Sequence, residues 1–157
     1  MKVTVLAALV VAAVWGQEPA KRVEKVVFVC EHGSAKSIIA ASEFERLAKQ
    51  KGLAVEVVAR GTNPDAEIGN AIRQGLRQDG IDVGAAKPVK VSTKDLEGAT
   101  RVVTFGPDLT EWLPKGSKAM DWSATPSPSK DFTATKEYIV QQLEALAADM
   151  KKAERPK

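Results

Sequence analysis

Val26-Val27-Phe28-Val29-Cys30-Glu31-His32-Gly33-Ser34-Ala35-Lys36-Ser37 passes from one kind of structure into another. Its first four residues are β-branched or aromatic without polar interruption, which reads as a buried strand. From Ser37 the period changes. Ile38, Ala41, Phe44 or Glu45, Leu47 and Ala48 recur every three to four positions, as on one face of a helix, and Gly52 stops it. A loop that opens a helix aims several backbone N–H groups at one spot, and the helix dipole adds about half a positive charge there. Small residues at 33–35 let that backbone approach a bound oxyanion closely. Glu31, His32, Gly33, Ser34 and Ala35 are therefore candidate substrate-binding residues. Cys30 is the candidate nucleophile, because such a cradle favours the thiolate. Lys36 adds a cation to the rim, and the Ser37 hydroxyl is placed to donate to the thiolate or to a leaving thiol. The bland alternatives are a buried structural thiol at Cys30 and a loop-shaping role for His32.

Outward from this string the chain alternates. Val55, Val57 and Val58 give a second strand. Asn63-Pro64-Asp65 predicts a helix start, with Asn capping and Pro at the first helical position. Ile68, Ile72 and Leu76 line its face, and Gly80 ends it. Val89 and Val91 mark a short extended piece, and Ser92 to Leu96 a brief helical turn. Arg101 to Phe105 is a third strand and Ala119 to Trp122 a fourth. Pro126 and Pro128 punctuate an irregular stretch. Tyr138, Ile139, Leu143, Leu146 and Met150 form a last amphipathic helix. The pattern predicts an α/β fold: a single doubly wound domain with a four-stranded parallel sheet flanked by helices, and ligands at the carboxyl ends of the strands. Trp112 and Trp122 are read as core or rim packing.

Composition narrows the chemistry. The 157 residues are 44% hydrophobic and 27% charged, an ordinary globular balance. A formal charge of +3 does not argue for nucleic acid. One Cys excludes an intramolecular disulfide and a Cys-rich metal site, and one His makes a His-dominated metal site improbable. No metal or other cofactor is implied, since backbone amides and Lys36 supply the positive field. Lys2 precedes an apolar run to Val14, too short to span a bilayer, which predicts an export signal over 1–16. A linker over 17–24, a domain over 25–150 and a frayed tail over 151–157 complete the expected organisation. The expected location is periplasmic or secreted, without membrane contact once the signal is removed.

The Cys30 loop resembles that of the low-molecular-weight protein tyrosine phosphatases and the arsenate reductases that share their fold. That family opens with a hydrophobic strand, then Cys, five residues, Arg and Ser at a helix start. Here Glu31 to Ala35 keep the spacing, with Lys36 in the Arg position. Arg60-Gly61-Thr62-Asn63-Pro64 resembles the family's second strand end and helix start, and Gly80-Ile81-Asp82-Val83 its Gly-Ile-Asp turn. The likeness runs from about Lys25 to Leu146. It implies a nucleophilic cysteine, a cysteinyl-phosphate intermediate, and phosphorylated small molecules, phosphoproteins or inorganic oxyanions as partners.

Three departures accompany the likeness. Lys at the Arg position exchanges a planar fork for a point charge, a loss of about 2–4 kcal/mol in transition-state binding. The family's acid is an Asp in an Asp-Pro pair, and the matching position is Ser127, before Pro128. A serine hydroxyl does not protonate a leaving group near neutral pH, which leaves Asp121 or Asp131 as substitutes. The resolving cysteines of the thioredoxin-coupled arsenate reductases are absent. Arg60, at the carboxyl end of a strand beside the first, is the candidate replacement for the lost guanidinium, against the plainer reading of a surface Arg. Three functions follow in order: phosphate monoester hydrolysis, oxyanion binding without turnover, and arsenate reductase-like or other thiol redox chemistry with an external thiol.

Overall fold

The computed structural model describes residues 23–154. The apolar run over 1–16, most of the linker and residues 155–157 lie outside the described residues. The elements are β1 (Glu24–Cys30), α1 (Lys36–Lys51), β2 (Val55–Gly61), α2 (Asn70–Gln78), α3 (Thr93–Leu96), β3 (Arg101–Thr104), β4 (Met120–Asp121) and α4 (Phe132–Ala153). The strands make one parallel sheet in the order β2-β1-β3-β4. This is the expected four-stranded α/β architecture, with Cys30 closing a central strand.

Strand alternation sorts the side chains. Val26, Phe28 and Cys30 share one face with Ile39, Phe44, Leu143 and Met150 of α1 and α4. Phe28 is the hub there, with Phe44 at 5.9 Å and Trp122 at 6.0 Å between ring centroids. Val27 and Val29 point to the other face, against Val91, Leu96 and Leu109. Trp122 is buried in the first cluster and Trp112 packs against the second, as packing residues should.

Two expectations are corrected. Asn63-Pro64-Asp65 does not begin a helix; α2 starts at Asn70, behind an extended Gly69. The amides of Thr62, Asn63 and Asp65 instead donate to the carbonyls of Cys30, Glu31 and His32. Those bonds hold the segment against the loop, and the helix begins only beyond it. The chain end also differs: α4 runs on to Ala153, so residues 151–153 are helical rather than frayed. The turn at Ser92 is as expected, with a reciprocal cap between Ser92 and Asp95.

Candidate active site

Cys30 is the last residue of β1 and is almost fully buried. Its Sγ lies 3.2 Å from Ser37 Oγ and accepts the Gly33 N–H at 3.2 Å. Gly33 has a φ of +62°, which turns its amide back toward the sulfur. The loop's peptide planes are fixed from behind. The carbonyl of His32 accepts the Asp65 amide, while the N–H of that same peptide, on Gly33, points to Cys30 Sγ. A trans peptide carries its C=O and N–H on opposite sides, so bracing the carbonyl aims the N–H.

The loop opens onto a cavity of about 440 Å3 lined by residues 30–32, 34–36, Asp65, Phe105 and the stretch 127–129. Ala35 precedes α1 and offers no capping side chain. Lys36 reaches across, and its Nζ donates to the Thr125 carbonyl at 2.7 Å. Its ammonium is held below the ordinary lysine range by burial, with the charge of Cys30 opposing that shift.

The predicted residues separate into two groups. Cys30, Glu31, His32, Ser34, Ala35 and Lys36 line the cavity, with Gly33 and Ser37 in contact with Sγ. Arg60 and Asp121 do not line it. Arg60 is in register with Val29, not Cys30, so its side chain leaves the sheet on the opposite face. There it pairs with Asp95 at 2.7 Å and donates to the Ala59 carbonyl. Burial alone would raise the Asp95 carboxyl; hydrogen bonds from Arg60 and Ser92 outweigh it and hold the group below its ordinary value. Asp121 is in register with Thr104, which pairs with Val29, and it lines a different cavity with Thr104 and Asp108. The Ser123 amide and side chain bind its carboxylate and keep it below the usual range, the wrong direction for an acid. The other substitute, Asp131, accepts the Ala134 amide as the cap of α4.

One residue on the cavity escaped the sequence reading as a site group. Asp65 Oδ2 accepts the Ser34 hydroxyl at 2.5 Å, and Oδ1 lies 3.3 Å from His32 Nδ1. The signal for it was the strand end at Gly61, from which only a short segment separates Asp65. Among the described residues no group of three or more His, Cys, Asp or Glu is arranged to hold a metal ion.

Residues 25–121, more than half of the chain, match the family described as low molecular weight phosphotyrosine protein phosphatase. A Halobacterium salinarum protein provisionally named an arsenate reductase is 24% identical over 128 residues, 80% of this chain and 89% of that one. Among solved structures, YfkJ from Bacillus subtilis superposes with a TM-score of 0.76 at 19% identity, covering 87% of this chain and 100% of that chain. The thioredoxin-dependent arsenate reductase of Corynebacterium glutamicum superposes with a TM-score of 0.71 at 23% identity, over 86% of this chain and 65% of that chain. These structural likenesses concern the fold.

Proposed function

The chain belongs to the low molecular weight phosphotyrosine protein phosphatase family, and from that premise we propose that it is an exported phosphatase acting on phosphate monoesters through a cysteinyl-phosphate. The observation that carries the reading is Cys30 Sγ held between the Gly33 N–H and the Ser37 hydroxyl at the base of a helix-opening cavity. Both donors stabilise a thiolate, and both remain for the sulfur when it leaves.

The steps follow from these positions. Sγ attacks phosphorus in line, the phosphorus–oxygen ester bond breaks, and the phosphoryl group rests on sulfur. Amides of the loop take its equatorial oxygens, with Lys36 a cation on the cavity wall. Water then attacks phosphorus, the P–S bond breaks toward the Ser37 hydroxyl, and inorganic phosphate departs. Export rests on the pattern of residues 1–16 alone and is checked by the N-terminus and cell fraction of the mature protein.

A second reading, oxyanion binding without turnover, is favoured by Ser127 on the cavity wall where a carboxyl acid is expected, and by Lys36 engaged with a carbonyl. Turnover of an activated aryl phosphate by protein lacking residues 1–16, across about pH 5 to 8 and beside Cys30→Ser, separates them. Loss in the serine variant supports the phosphatase. Phosphate or vanadate binding without Cys30-dependent turnover supports the binding module. Arsenate consumption only with an added thiol points to the reductase-like alternative, since the chain has one cysteine.

A further inference from the structure

We propose that His32 is the acid that protonates the leaving group and the base that deprotonates the hydrolytic water, with Asp65 as its positioning residue. This rests on the phosphatase reading. The reaction needs a proton donor on the cavity, and position 127 supplies only a hydroxyl. The titratable side chains lining the cavity are Cys30, Glu31, His32, Lys36 and Asp65. Cys30 is the nucleophile, and Lys36 is engaged with the Thr125 carbonyl. Asp65 has both oxygens turned to neighbours, Oδ2 to the Ser34 hydroxyl and Oδ1 to His32 Nδ1. Glu31 is the most exposed of the group, at 66% against 54% for His32.

His32 remains, and its surroundings have the order of an acid–base pair. Asp65 Oδ1 lies 3.3 Å from Nδ1, close enough to pair with the ring when it is protonated. The other nitrogen, Nε2, is left for exchange; Glu31 stands off at 3.8 Å, beyond hydrogen-bond distance. Ser34 in turn fixes Asp65, and Ser34 is itself buried. The groups facing the ring are Glu31 from its own loop and Asp65 from the segment after β2. The opposite wall, 127–129, brings only Ser127, Pro128 and Ser129, none of them charged.

In the first step Sγ bonds to phosphorus, the ester bond breaks, and the leaving oxygen takes the Nε2 proton, which leaves a neutral imidazole. In the second step water bonds to phosphorus and gives a proton to Nε2. The P–S bond breaks, and the thiolate and protonated ring are restored.

The test uses two substrates, dinitrophenyl phosphate, whose leaving group needs little protonation, and phenyl phosphate, whose leaving group needs it. His32→Gln is expected to lower kcat/KM for phenyl phosphate by about 100-fold or more and for dinitrophenyl phosphate by a much smaller factor. Added imidazole should restore part of the phenyl phosphate rate in His32→Ala. Asp65→Asn should move the alkaline limb of the kcat/KM–pH profile, which a purely structural loss would leave in place. Equal losses on both substrates, or no loss on either, overturn the role of His32 while Cys30-dependent turnover keeps the phosphatase reading. Absence of Cys30-dependent turnover even with dinitrophenyl phosphate overturns that reading and this role with it.

Discussion

Gly33 and Gly61 meet backbone to backbone. A Cβ on Gly61 would lie 2.6 Å from Gly33 N, and one on Gly33 would lie 2.9 Å from Gly61 N. The end of β2 is thereby pressed against the loop that holds Cys30, and no side chain fits between them. Gly61→Ala is expected to cost about 1–3 kcal/mol in urea denaturation, through overpacking against backbone that has nowhere to go. Gly33→Ala adds the strain of a non-glycine residue at φ +62° and should be the worse of the two. Both variants should lose vanadate affinity, and full affinity in either would show that the contact does not shape the cradle.

Arg60→Ala should leave oxyanion affinity unchanged and lower stability by about 1–2 kcal/mol at neutral pH, because its partner is Asp95 on the far face of the sheet. The sign with pH follows from Asp95, whose carboxyl is held below its ordinary 3.8 in the folded protein. That stabilisation is present above the ordinary value and fades as pH falls through the lowered one. Wild type and Arg60→Ala should therefore converge in acid. An affinity loss matching that of Lys36→Ala would restore Arg60 to the anion site.

Lys36 gives a slope of the same sign at the alkaline end of the scale. Its ammonium is held below the ordinary 10.5 by burial. As pH rises through the lowered value toward 10.5, the folded protein sheds this proton before the unfolded chain does, so the residue's contribution to stability rises with pH. Denaturation of wild type and Lys36→Met compared over that range should show wild type gaining on the variant. A constant difference between them would place the ammonium in water.

Ser127→Asp puts a carboxyl on the cavity wall beside Pro128. It is expected to raise kcat/KM for phenyl phosphate by about tenfold or more, and to do little for an activated ester. In that background His32→Gln should cost less than it does alone, since two donors then serve one leaving group. An unchanged phenyl phosphate rate would mean that position 127 does not reach the leaving oxygen.

Much of this was legible in the sequence, and the misses have two causes, the facing of strand residues and a local helix-start signal. β1, the loop and α1 were readable because hydrophobic period and small residues coincide there. Strand order points Arg60 toward the loop, and nearness in sequence to Ser127 suggests Asp121, yet a strand carries alternate residues to opposite faces. The pairings Val29 with Arg60, Val29 with Thr104, and Thr104 with Asp121 put both on the face that Cys30 does not share. Both residues needed an inter-strand register that the sequence does not state. Asp65 was hidden by a local signal, since Asn-Pro-Asp is good helix-start chemistry. Bracing the loop carbonyls outweighed it.

Cys30 ends a central strand buried from Val26 onward, and Ser37 lies in the first turn of a helix packed on the same core. The Cys30–Ser37 pair is thus joined to the hydrophobic interior on both sides. Warmed slowly, such a protein should keep its turnover until the whole fold melts. The loss of activity and the loss of helical circular dichroism should then trace a single curve.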